Sequence, residues 1–257
     1  MNNDYHNSIS EKELEYIFSG EYRQRRRSRV LSVFFYTILA LAIFILVFVF
    51  INYQALYKKA SYWYQSDYVN NDNKSNPKIN IYPVTQDNYQ GLPAFSDNHI
   101  YIPKISVDAP ITWMVQNTEE ASSSALEKGA IHLLGTALPG KIGNVFVTAH
   151  SSNYAWAPGQ YKSLLALLNN LVVGDPVYLK YQNVAYLYKV NQKIVVKPDD
   201  ISVLDQGKES KLTLMTCTPV GTSLNRLIIT ANQIYPDPNQ NTLMKLDVEN
   251  SSLPTIR

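Results

Sequence analysis

Hydrophobic positions fall into two regimes along the chain. From Val30 to Ile51 they form one run without a charged side chain, VLSVFFYTILALAIFILVFVFI. From about Ile81 they come instead as short β-rich runs, separated by turn residues every ten or so positions. The first regime predicts a membrane-crossing helix over residues 30–51. A span needs about 20 apolar residues. A cleaved signal has an apolar stretch of roughly 7–15 residues before a small-residue site, and Asn52-Tyr53-Gln54 supplies no such site. A helix buried in a soluble core would carry a polar stripe, and this run has none. The second regime predicts an all-β barrel or sandwich.

The candidate strands are His99–Ile102, Ile105–Val107, Asn144–Ala149, Val177–Tyr181, Val184–Val196, Lys211–Cys217 and Leu224–Ala231. One later segment, Tyr161–Asn170, has Leu164, Leu165, Leu167 and Leu168 spaced for a helix. Polar stretches mark the rest. Residues 1–29 form a leader in which Ser10-Glu11-Lys12-Glu13 fits a capping box. Residues 52–80 read as a stalk. Within it Tyr53–Gln65 extends as an amphipathic helix, with Tyr53, Tyr57, Tyr62, Trp63 and Tyr64 at the headgroup level. Ser66–Asn80, rich in Asn and Ser, reads as a linker holding the folded part off the membrane. The β domain covers 81–235, and 236–257 is a polar, loose tail.

Charge orients this layout. The chain of 257 residues carries 23 Lys and Arg against 21 Asp and Glu. Arg23, Arg25, Arg26, Arg27 and Arg29 cluster just before the apolar run. The excess of positive charge is expected to stay in the cytoplasm, so everything after Asn52 is extracellular on a single-pass anchor. The remainder is nearly neutral, which argues against nucleic-acid binding. Cys217 is the only cysteine, so an intrachain disulfide and a multi-cysteine metal site are excluded. Four histidines leave little material for a zinc cluster.

Candidate chemistry gathers at strand ends. Lys211–Cys217 alternates like a strand and is broken by Thr218-Pro219-Val220-Gly221-Thr222, so Cys217 stands at a strand-to-loop edge. Arg226 lies in the next apolar strand, where a charge needs a partner or a task. A hairpin would bring it near Cys217. His150 ends the run Asn144–Ala149 at a similar edge. A thiolate attacks a carbonyl, an imidazole moves the proton, and a guanidinium holds developing negative charge. The bland alternative is a small buried cysteine and a structurally paired arginine.

At these residues the sequence resembles the sortases, membrane-anchored cysteine transpeptidases of bacterial surfaces. Thr213-Leu214-Met215-Thr216-Cys217 matches the TLxTC motif of that family, and Arg226 follows in a strand of the expected type. Gly143–His150 resembles the stretch carrying the family histidine. Ile100–Ile105, Leu126–His132 and Gly174–Leu179 also match, in order, over about Ile100–Ala231. The resemblance implies a mainly β fold, a closed barrel of about eight strands with short helices. It implies Cys217 as nucleophile, His150 as general acid/base, and Arg226 as oxyanion and substrate holder; Thr216 either contacts substrate or satisfies the sheet. His132 falls in a motif of structural role.

The implied substrates are surface proteins with an LPxTG-like signal, cut between Thr and Gly, and an amine acceptor from a cell-wall precursor or a pilin lysine. No cofactor or metal is implied; Asp199-Asp200 read as solvated charges. Met215 and the TCTPVG stretch lean toward pilin-type members. However, no second apolar run follows Ala231, and Gln86–Ser96 lacks an Asp-Pro-aromatic lid motif, so anchoring is favoured over pilus polymerisation. An L,D-transpeptidase is disfavoured by the setting of Cys217. A non-catalytic sortase-like barrel is disfavoured because all three chemical positions are filled.

Overall fold

A computed structural model describes residues 10–18, 20–72 and 92–243. The chain divides into two units between Phe50 and Ile51. In the first, α1 (Glu11–Phe18) opens with the expected capping box. Ser10 Oγ accepts from the Glu13 N–H, and Glu13 Oε2 accepts from the Ser10 N–H at 3.0 Å. The following helix, α2 (Gly20–Asp72), runs on into the second unit. Its apolar part is long enough to cross a membrane, and none of the most apolar window is buried. The arginine-cluster side chains before Arg29 lie outside the described residues.

In the second unit, α2 is not a free stalk. Asn52 and Ala55 are buried and Tyr62 packs on the main core, so the first turns lie against the β domain. Tyr62 therefore points away from the expected headgroup position, while Tyr53, Tyr57, Trp63 and Tyr64 are exposed. The helix also continues through Ser66–Asp72, where the sequence suggested linker. Asn and Ser only weaken a helix, and the first strong breaker, Pro77, comes later. The rest of the expected linker, and Gln86–Gly91, lie outside the described residues.

The β domain contains β1 (His99–Ile102), β2 (Val107–Val115), α3 (Glu119–Leu126), β3 (Ala130–Leu133), β4 (Lys141–Thr148), β5 (Pro176–Tyr181), β6 (Val184–Val196), β7 (Ser210–Thr218), β8 (Asn225–Tyr235) and β9 (Thr242–Leu243). Hydrogen bonding runs β3-β2-β1-β5-β6-β8-β7-β4, and β4 pairs back to β3, closing an eight-stranded barrel. The short β9 adds to β4 in parallel, Ile142 opposite Leu243. The tail is therefore tied at its start. Asn241 Nδ2 donates to Ser210 Oγ at 2.7 Å and to Gln233 Oε1 at 3.0 Å. This differs from the loose tail expected after Pro236.

Strands β4, β7 and β8 are covered on both faces. Val145, Val147, Leu212, Leu214, Leu227 and Ile229 point into the barrel core. Phe146, Met215 and Ile228 point outward into a second cluster with Ile131 and Leu133, against α3 residue Ala125. Alternate residues of a strand face opposite sides, so two buried faces explain why these strands read as nearly continuous apolar runs.

Two expectations differ. Ile105 belongs to a 3₁₀ turn, Pro103–Ile105, and the strand begins after it at Val107. Tyr161–Asn170 is a chain of tight turns ending in a 3₁₀ helix, Leu168–Asn170. Leu164, Ala166 and Leu168 donate to carbonyls three residues back, and the Leu165 N–H leaves the segment to reach His150 O at 2.9 Å. Leu164 through Leu168 are all buried, so no solvent face exists for an amphipathic helix to present.

Candidate active site

Register brings the three singled-out side chains to one end of the barrel. Cys217 on β7 is directly paired with Arg226 on β8. Strand β4 runs parallel to β7 with Thr148 opposite Met215, so His150, two positions past Thr148, reaches the level of Cys217. Alternation also gives them a common side. Cys217 shares parity with Thr213 and Met215, Arg226 with Ile228, and His150 with Phe146 and Thr148; Phe146, Met215 and Ile228 all face outward.

The motif threonines clamp this end. Thr213 Oγ1 donates to Asn144 Oδ1 at 2.7 Å. The Asn144 amide in turn donates to Val203 O at 2.9 Å. Thr216 Oγ1 donates to Ala149 O at 2.8 Å, and Thr148 Oγ1 donates to Met215 O at 3.0 Å. Three hydroxyls thus cross the β4–β7 line in addition to its ladder. Thr216, for which the sequence leaves substrate contact and a sheet role both open, is 3% exposed. Its hydroxyl is spent inside the sheet, where it holds the residue before Cys217 to the residue before His150.

Cys217 is partly exposed and lines a cleft of about 250 Å³ with Ile51, Asn52, Ser152, Asn153, Tyr154, Gly221, Thr222 and Ser223. His150 and Arg226 do not line that cleft. Arg226 Nη1 donates to Ser223 O at 3.0 Å and to Asn225 O at 3.3 Å, which ties the guanidinium to the β7–β8 loop. The same loop is tied to the segment after His150, because the Gly221 N–H donates to Ser152 Oγ at 2.9 Å.

Burial holds the His150 imidazole below the usual histidine range. Its neighbour Asn153 is a residue that sequence reasoning missed. Asn153 Oδ1 accepts from the Tyr154 N–H at 2.8 Å, so the amide nitrogen is the atom facing His150 Nε2, at 3.4 Å. Nε2 is then the acceptor, and the neutral ring carries its proton on Nδ1. Nothing in the local sequence marks Asn153, since it stands in a loop without periodicity. Beyond it, Tyr154 and Trp156 stack at 5.0 Å and are largely exposed.

His132 plays a different part. Its Nε2–H donates to Ala137 O at 2.8 Å, and Nδ1 accepts from the Met114 N–H at 3.3 Å. The ring is fully buried, and burial lowers its pKa to about 4, partly opposed by the bond to Ala137. It is a neutral cross-brace. Gly174-Asp175-Pro176 is similarly structural: Asp175 accepts from the Val172 N–H and pairs with Lys104 at 2.8 Å.

A thiol, an imidazole and a guanidinium at one sheet end are chemically sufficient for nucleophilic acyl transfer.

Sortase SrtE1 of Streptomyces coelicolor is 29% identical over an alignment of 149 residues that covers 54% of this chain; the chain spans 40% of the length of that relative. Sortase C-1 of Actinomyces oris is 31% identical, over 53% of this chain and 72% of that one, with a TM-score of 0.46. Sortase A of Corynebacterium diphtheriae is 32% identical, over 55% of this chain and 61% of that one, also with a TM-score of 0.46. The family model of the sortase domain matches residues 100–234, more than half of the chain and all eight barrel strands, and the chain belongs to the sortase family.

Proposed function

We propose that the chain is a thiol transpeptidase acting on surface proteins, held at the cell membrane by its N-terminal apolar helix with the barrel outside. The Cys217 thiol passes its proton to His150 Nε2, and the resulting thiolate attacks the Thr–Gly carbonyl of an LPxTG-like signal. The C–N bond breaks, the Gly amine leaves with a proton from His150, and a thioester to Cys217 remains. An acceptor amine then attacks the thioester, passes its proton to His150 and releases the thiolate. Arg226 stabilises the oxyanion in both steps. Sortase-family members are transpeptidases, and the single observation that carries the assignment here is the Cys217–Arg226 register pair beside the strand leading to His150.

Anchoring to a cell-wall amine is favoured over pilin polymerisation by the sequence between residues 86 and 96. The test is incubation of the full chain in detergent with LPxTG-like peptides, read by mass spectrometry. Cleavage between Thr and Gly and an acyl adduct on Cys217 are expected. Cys217→Ala should lose both while keeping its circular dichroism. Full turnover by that variant would overturn the assignment. Adding a cell-wall peptide amine or a lysine-bearing pilin peptide then identifies the acceptor.

A further inference from the structure

The helix that follows the apolar run contributes to the cleft around Cys217. Asn52, Ala55, Lys58 and Tyr62 recur at spacings of three and four, one face of a helix. All four meet the β domain. Asn52 is 8% exposed and Ala55 1%. Lys58 Nζ donates to Ser163 O at 3.0 Å, in the turns that follow His150. Tyr62 packs on the barrel core.

At its beginning this stripe reaches the loop after Cys217. Gly221 has φ +90°, and a Cβ there would lie 2.8 Å from Asn52 Oδ1, so the backbone approaches the carboxamide as closely as only glycine allows. On its other side the Gly221 N–H is held by Ser152 Oγ. The loop is therefore gripped between Asn52 and the segment carrying His150. Ile51, Asn52 and Cys217 line one cleft.

Granted the acyl-transfer function proposed above, on which this rests, we propose that the Ile51–Tyr62 stripe is a fixed wall of the substrate cleft, and that Asn52, acting through Gly221, is a positioning residue setting the cleft width beside Cys217. The wall limits which side chain of the sorting peptide fits next to the scissile bond. A barrel cut free of the helix would have a wider cleft and hold its peptide less well.

The full chain in detergent micelles tests this with Asn52→Ala, with Ala55→Glu to push the stripe off, and with Tyr57→Ala on the exposed face as control. Two readouts are needed: kcat and KM for an LPxTG-like peptide, and the ratio of Cys217 alkylation rates by a bulky maleimide and by iodoacetamide. Ala55→Glu should raise KM by about tenfold or more, with a smaller change in kcat, and should raise the bulky-to-small ratio. Asn52→Ala should do the same to a lesser degree, and Tyr57→Ala should change neither.

Unchanged KM and ratio in Ala55→Glu would overturn the wall. A lowered KM would overturn it too, by showing that the helix is a cover. Should Ala55→Glu fail to fold, a diazirine-bearing peptide on the parent decides. Labels on Ile51 or Asn52 support the wall, and labels confined to the barrel strands refute it. If the parent cleaves no sorting peptide, the transpeptidase assignment fails, while the alkylation ratio still decides the wall.

Discussion

Two sides of Cys217 are built differently. On the strand side, β4, β7 and β8 are packed on both faces and crossed by three threonine hydroxyl bonds. On the rim side, loop and helix residues meet through a few polar contacts: Gly221 to Ser152, Asn153 to His150, and Arg226 to Ser223. The strand side fixes where the thiol stands, and most of its bonds are buried. The rim decides what the thiol meets. Changes on the strand side should therefore appear as lost stability, and changes on the rim as altered kinetics in a protein of normal stability.

The largest effect is expected at Arg226, where the two sides join. Arg226→Lys keeps the charge but loses the planar fork. Loss of an oxyanion donor costs about 10²–10³ in rate. The pH–rate profile should keep its bell shape at reduced height, whereas His150→Ala should lose the bell. The profile belongs to a coupled thiol–imidazole pair, so neither limb is one residue's alone. Parent-like activity in Arg226→Lys would make the arginine purely structural.

Next is the pH dependence of stability through His132. Its folded pKa, about 4, lies below the ordinary histidine value of 6.5. Between those values the unfolded chain binds the proton and the folded chain does not, so stability falls as pH drops from 6.5 toward 4. It is fully present above 6.5. At 1.36 kcal/mol per unit, this one ring accounts for roughly 3 kcal/mol. Urea midpoints across that range check it, and His132→Gln should flatten the slope even if it lowers stability at neutral pH.

Thr213→Val should cost about 1–3 kcal/mol, because Asn144 Oδ1 loses its buried donor. Thermal unfolding measures this, and kcat per folded molecule should change little. Asn153→Ala should do the reverse. With its hydrogen bonds to His150 and from the Tyr154 N–H removed, kcat should fall by about two- to tenfold, with unchanged thermal stability and KM. The ¹⁵N signals of His150 should lose their preference for the Nδ1–H tautomer. If the loss in Asn153→Ala is instead in stability, the distinction between strand side and rim fails.

The same division governs what could be read from the sequence. Val184–Val196 and His99–Ile102 were legible to the residue, because alternation and flanking turn formers report directly on a strand. The meeting of Cys217 with Arg226 was legible because a hairpin sets its own register. In contrast, β3 is four residues buried on every side and shows no alternation. The turns at Tyr161–Asn170 imitate a helix because burial all round replaces any periodic face. Asn153, Ser152 and Asn52 were invisible for another reason. Ser152 and Asn52 meet Gly221, which is distant in sequence, and no local pattern encodes such a contact; Asn153 meets His150 only three residues away, but in a loop without periodicity.

The parallel seating of β9 on the first residues of β4 has a practical consequence. Ile142 and the level of His150 are separated by about 25 Å of extended strand. Leu243 thus lies at the barrel end remote from the thiol, whereas Asn52 lies at the thiol end. A fluorescent reporter or a surface tether joined directly after Leu243 would sit clear of incoming substrate, and the same cargo attached beside Asn52 would crowd it.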